Sequence, residues 1–263
     1  MDSYKNWDLR IDERTAILSL DRQHAADTLD TETLEELAVI SETIHARKDI
    51  WSVVLRSDGR HFSTGFNPEL IRSKIEEPEA AIRDMVADHQ RCLNSFENIG
   101  KPVVAAIRGF CIGGGVLLAC CCDFRIASER SIFSLPEVRL GLPILWGTHR
   151  IVRVLGPANA KRMIMLGERF RARQALELGL VHSVVNDEDL EKAVDGYLKM
   201  LHNAPPVTQA MAKEIVERSM DTEGTRTEEL ELEALATLAG SHDVAEAISS
   251  YFAGELPRYQ GDK

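Results

Sequence analysis

Gly113, Gly114 and Gly115 stand in an unbroken row between the apolar runs 103–107 and 116–122, and a carboxylate follows as Glu137 in Leu135-Pro136-Glu137. Glycine gives up more backbone entropy on folding than any other residue, so a packed core has little use for three in a row. Bare backbone between a strand and a helix can instead turn N–H groups towards negative charge. Two ligand types suit such a place, a phosphate or the oxyanion that develops on an acyl group. A phosphate loop asks for Gly-Lys-Ser/Thr, and Val116-Leu117 stand there. The dinucleotide fingerprint Gly-x-Gly-x-x-Gly with a later acidic residue is missing too. An acyl oxyanion site fits better; close packing or a tight turn is the alternative for the glycines taken alone.

The elements that must position these residues are legible as periodicity. Short apolar runs at 16–20, 51–55, 103–107 and 124–127 read as strands. Asp30 or Thr31 can cap a helix whose apolar residues Leu34, Leu37, Ile40 and Ile44 keep helical spacing. A second helix is expected to end near Ile99, and a third over 116–122. Strand and helix alternate repeatedly, which predicts an α/β fold with helical crossovers. From Ala158 onward the pattern is nearly all helical, over 158–167, 172–178, 190–203, 207–220, 228–240 and 244–252, with one late strand at 180–185.

Bulk composition excludes several function classes. The 263 residues suffice for one large domain with a substantial core, and 44% hydrophobic with 28% charged residues is ordinary for a globular protein. A net charge of −11 without a basic cluster argues against nucleic acid or an anionic membrane as partner. Five cysteines, three of them adjacent at 120–122, form no CxxC pair, so buried thiols are expected rather than disulfides or a metal site. The opening MDSYKNWDLRIDE has no basic start followed by an apolar stretch, and no apolar run is long enough to span a bilayer. A cytoplasmic location is the expectation.

The ordered set "KPVVAAIRGFCIGGG", "CDFRIAS", "FSLPEVRLGL" and "ALELGLVHSVV", preceded by "HFSTGFNPEL", resembles the crotonase (enoyl-CoA hydratase/isomerase) superfamily over nearly the whole chain. The resemblance implies a crotonase-like ββα spiral core over 1–200 and a helical C-terminal trimerisation region over 201–263, assembled as a homotrimer or homohexamer. It implies an acyl-CoA substrate, with CoA arriving as part of the substrate and with no metal and no separate cofactor. Gly65-Phe66 resembles the first oxyanion segment, so the Phe66 N–H would be one donor and the Gly114 N–H the other, gripping a thioester carbonyl beside Gly65 and Gly113. Glu137 matches one of the two acid/base glutamates of the hydratases.

The family's second glutamate should follow the glycines, and Leu117 occupies that place. Hydration asks for a held water and a proton donor on one face, which two carboxylates supply together. Moving a double bond needs a single base to take a proton from one carbon and return it to another. The resemblance therefore implies an isomerase first, with a hydratase, a decarboxylase, a thioester or C–C hydrolase, or a non-catalytic acyl-CoA binder as alternatives. A fold-related serine protease is disfavoured by the lack of Gly-x-Ser-x-Gly.

Residues 140–150 read LGLPILWGTHR, one residue shorter and poorer in glycine than the family's usual L-G-x-x-P-G-x-G-G-T-x-R. Trp146 is expected either to reshape the acyl pocket, favouring a cyclic or unusual acyl group, or to serve as core packing. His149 is a candidate partner acid or base, or else a helix cap. Arg22, His24 and Ala26 match the segment that holds the adenine and phosphate end of CoA, though its familiar Pro and Asn are missing. Phe252 and Arg258 resemble terminal-helix residues near CoA, with an exposed charge as the other reading of Arg258.

Overall fold

The computed structural model describes residues 4–22, 26–67, 69–70, 77–220, 224–238 and 241–261. Its elements are β1 (Trp7–Asp12), β2 (Thr15–Leu20), β3 (Thr28–Leu29), α1 (Thr31–Ala46), β4 (Ser52–Ser57), β5 (Gly65–Phe66), α2 (Glu79–Glu97), β6 (Val103–Ile107), β7 (Phe110–Ile112) and α3 (Gly114–Cys120). They continue with β8 (Phe124–Ser128), β9 (Ile132–Ser134), α4 (Thr148–Met165), β10 (Phe170–Arg171), α5 (Ala172–Glu177), β11 (Ser183–Val185), α6 (Leu190–His202), α7 (Pro206–Ser219), α8 (Gly224–Leu238) and α9 (His242–Ala253).

A six-stranded sheet runs in the order β1-β2-β4-β6-β8-β11, antiparallel at β1 and parallel elsewhere. The short strands form separate sheets, β3-β5 and β10-β9-β7. Starting from β2, β4, β6 and β8 in turn, the chain passes from the large sheet to a short-sheet strand and then to a helix. This repeated strand–strand–helix unit is the crotonase-type spiral that the motifs imply. Its consequence for function is that β7 runs straight into the start of α3 while Gly65 of β5 packs against Ile112, Gly113 and Gly114, which gathers β5, β7 and the start of α3 at one place.

The sheet is buried on both faces, which explains why its strands read as continuous apolar runs rather than alternating ones. Val53, Leu55, Val103, Ala105 and Ile107 pack into the main core with α1, α2 and α3, while their neighbours Val54, Val104 and Ala106 face α6 through Leu190 and Val194. Asp30 caps α1, its carboxylate accepting from the Thr33 N–H at 2.9 Å. The expected helix from Ala158 proves to be the second half of α4, which begins at Thr148 and breaks at Gly156 (φ +68°). Gly156-Pro157 reads as a stop in sequence, and the chain resumes the helix beyond it because Pro is well tolerated in a first turn.

Helices α7, α8 and α9 form the C-terminal region, and its outer surface carries exposed Leu232, Leu235, Ile248, Tyr251, Phe252 and Leu256. Cys111, Cys120, Cys121 and Cys122 are buried, Cys92 is half-buried, and all five thiols are free. No helix among the described residues is long and apolar enough to cross a membrane.

Candidate active site

Each of the three glycines meets a different neighbour. Gly113, the residue before α3, adopts φ +53°, and a Cβ there would stand 2.5 Å from Glu137 Oε1. At Gly114 a Cβ would lie 2.6 Å from the Phe66 ring, and at Gly115 it would lie 2.8 Å from Ser63 Cβ. Side chains at these separations would displace the groups they meet, so the bare backbone is what lets Glu137, Phe66 and Ser63 converge on one turn.

The two candidate oxyanion donors border that turn. Gly65 (φ +93°) approaches so closely that its Cβ would be 3.3 Å from the Gly114 nitrogen. The Asn67 N–H donates to the Leu29 carbonyl across β3-β5 at 2.8 Å. Successive N–H groups of an extended strand point to opposite sides, so the Phe66 N–H turns away from β3. The Gly114 N–H sits at the first position of α3, where the helix itself offers no acceptor. Gly113 N–H is committed to the Ser134 carbonyl at 2.8 Å, which fixes the turn against β9.

Glu137 rides on the 3-10 turn Pro136–Leu140, closed by Gly141 in the left-handed conformation. The carboxylate is buried, and its Oε2 has no hydrogen-bond partner among the described residues. Burial pushes its pKa above the usual carboxylate range. A buried, unpaired carboxylate beside two main-chain donors is suited to take a proton from carbon. Leu117 is fully buried in the core on α3, so the position of the family's second acid is filled with hydrocarbon.

Opposite Glu137 the turn is covered by aromatic rings. Phe66 lies 4.1 Å from Trp146 between centroids and stacks nearly parallel to His89 at 5.8 Å. Trp146 is therefore packed as core, and its ring lies against Phe66 beside the glycine turn. His89 escaped the sequence reading; it shares the apolar stripe of α2 with Leu93 and Phe96, and a histidine in such a stripe was the available signal. The loop carrying Trp146 is tied to α2, with Gln90 Nε2 donating to the Leu145 carbonyl at 2.6 Å. Fully buried Arg150 donates to the Trp146 carbonyl at 3.2 Å and pairs with Glu97 at 2.6 Å.

Other expected site residues lie elsewhere or do other work. Arg22 is buried, pairs with Asp30 at 2.7 Å and donates to Asn6 and Thr33, so it braces the start of α1 instead of facing CoA. Ala26 adopts φ +54°, and its carbonyl accepts from Thr64 Oγ1 at 2.6 Å. His24 lies outside the described residues. His149 is exposed and lines a 780 Å³ groove with Asn94, Arg153, Met211 and Lys213, and the lining of that groove does not include Glu137. Phe252 is exposed near the end of α9.

The enoyl-CoA hydratase/isomerase family model matches residues 10–262. The chain belongs to this family. Relatives within or near the family include a crotonyl-CoA hydratase of Syntrophomonas wolfei, 29% identical over 95% of both chains. A 2,3-dehydroadipyl-CoA hydratase of Escherichia coli is 30% identical over 95% of this chain and 96% of its own. An enoyl-CoA hydratase structure from Bacillus anthracis superposes with a TM-score of 0.91 at 28% identity, covering 98% of this chain and 100% of that one.

Proposed function

We propose that this chain is an acyl-CoA enzyme that shifts the double bond of an enoyl thioester, with Glu137 as its base. The thioester oxygen sits between the N–H groups of Phe66 and Gly114. Glu137 removes a proton from C2 of a 3-enoyl thioester, and the electron pair moves to the oxygen as a dienolate held by those two donors. Returning the same proton at C4 gives the 2-enoyl product and restores the carboxylate. Nothing is consumed beyond the substrate.

The observation that carries this reading is the buried Glu137 carboxylate, whose Oε2 has no hydrogen-bond partner among the described residues, set beside a Leu117 that cannot titrate or orient water. Hydration is the second reading, favoured by the hydratase names of the relatives. Incubation with a 3-enoyl-CoA and separately with a 2-enoyl-CoA separates them. The isomerase yields the 2-enoyl product from the first, whereas a hydratase yields the 3-hydroxyacyl thioester from the second. Assembly as a homotrimer or homohexamer belongs to the same proposal and is supported by the exposed apolar residues of α8 and α9; light scattering of the full chain reads it directly.

A further inference from the structure

Three buried polar atoms around the oxyanion turn have no hydrogen-bond partner among the described residues: Glu137 Oε2, His89 Nδ1 and Trp146 Nε1. Native folds pair nearly all such atoms, so each orphan asks for an occupant. Glu137 Oε2 has one in the reacting proton. The two ring nitrogens have no part in the proton transfer, and they belong to rings 5.9 Å apart that flank Phe66.

Their chemistry is restrictive. Trp146 Nε1–H can only donate. His89 Nε2 lies 2.9 Å from Thr31 Oγ1. When that hydroxyl donates to Nε2, His89 Nδ1 carries the proton and donates as well. In that tautomer two rings 5.9 Å apart each carry an unpaired buried donor, and an acceptor would satisfy them. The buried cations Arg22 and Arg150 are committed elsewhere, Arg22 to Asp30 and Arg150 to Glu97. Burial also holds His89 neutral by lowering its pKa. An anionic acceptor would therefore enter without a counter-charge, which a low-dielectric site disfavours.

We propose that the acyl chain accepted here carries a neutral oxygen, a keto or hydroxyl group, which takes hydrogen bonds from Trp146 Nε1 and His89 Nδ1. This rests on the acyl-CoA reading above and adds the substrate class. Trp146 and His89 then set specificity, while Glu137 and the two amides do the chemistry.

Isothermal titration of the full chain with unreactive thioesters tests it. The probes are hexanoyl-CoA, 4-oxohexanoyl-CoA, 5-oxohexanoyl-CoA, 6-hydroxyhexanoyl-CoA and adipoyl-CoA. At least one neutral oxygenated chain should bind about tenfold tighter than hexanoyl-CoA, the scale of one or two added hydrogen bonds, and adipoyl-CoA should not. Trp146→Phe and His89→Phe, each with its melting curve recorded, should bring that ratio to about one. Equal binding of plain and oxygenated chains overturns the inference and assigns the ring nitrogens to trapped water. Tightest binding of adipoyl-CoA, or a preference that survives both substitutions, overturns it as well. Each of these results leaves the acyl-CoA reading standing, whereas failure of every thioester to bind removes both.

Discussion

Glu137 and Gly113 are in contact: the carboxylate Oε1 occupies the space that any side chain at Gly113 would need, 2.5 Å from its Cβ position. The proposed base and the glycine turn are thus one packed unit, and a change in either is felt by the other.

Glu137→Gln removes the base while keeping size and polarity. Isomerase turnover of a 3-enoyl-CoA should fall by about 10²–10⁴-fold, the usual contribution of a general base. Affinity for a saturated acyl-CoA, read by titration calorimetry, should change little, because the amides that hold the thioester remain.

Gly114→Ala drives a methyl into the Phe66 ring, which stands 2.6 Å from the Cβ position. The Phe66 N–H moves with its ring, and one donor is misaligned. The expected loss in kcat is about 10²–10³-fold, comparable with removal of one oxyanion donor. A smaller change in the melting temperature than in the rate would locate the effect at the site.

The pH dependence follows from the raised pKa of Glu137. The base works ionised, so kcat/KM should rise with pH through a value above the ordinary carboxylate range. Stability runs the other way. Because the folded pKa lies above the unfolded one, the protonated acid is favoured by folding, and that contribution is lost as pH rises through the folded value. Glu137→Gln should therefore melt higher than wild type at neutral pH, with the gap closing on acidification below the unfolded carboxylate range. Equal melting temperatures at neutral pH would show that the carboxylate is solvated.

Arg150→Ala leaves Glu97 without its fully buried partner and frees the Trp146 carbonyl. Breaking a buried pair from one side typically costs about 3–5 kcal/mol, which urea unfolding can measure. Loss below about 1 kcal/mol, the level of an exposed pair, would contradict the burial.

Thiol reactivity should divide the five cysteines. Burial pushes the Cys120 thiol up to about 11 and raises Cys111, Cys121 and Cys122 as well. A thiol reagent should label at most Cys92 in the native protein and all five after unfolding.

The alternating α/β character was legible in sequence because the strands are apolar on both faces, whereas the spiral arrangement came only from the resemblance of the ordered motifs. Gly65, Gly113 and Glu137, named through the resemblance of local motifs, are brought together by the fold. The aromatic cover was harder to see. His89 hides in the apolar stripe of α2, and Arg150 looks like an ordinary basic residue near the start of α4 until Glu97 is brought to it from 53 positions away. Arg22 was misjudged for the same reason, since its partners Asn6, Asp30 and Thr33 come together only on folding. Local pattern reveals elements and turns; charge compensation across elements requires the tertiary structure.

The most direct measurement is turnover of a 3-enoyl-CoA in deuterated water by wild type and Glu137→Gln, with the product followed by mass spectrometry. The account predicts conversion to the 2-enoyl-CoA by wild type, some exchange of solvent deuterium into the thioester during proton transfer, and loss of both in the variant. Undiminished conversion by Glu137→Gln, or a 3-hydroxyacyl product formed as fast from the 2-enoyl-CoA, would contradict it.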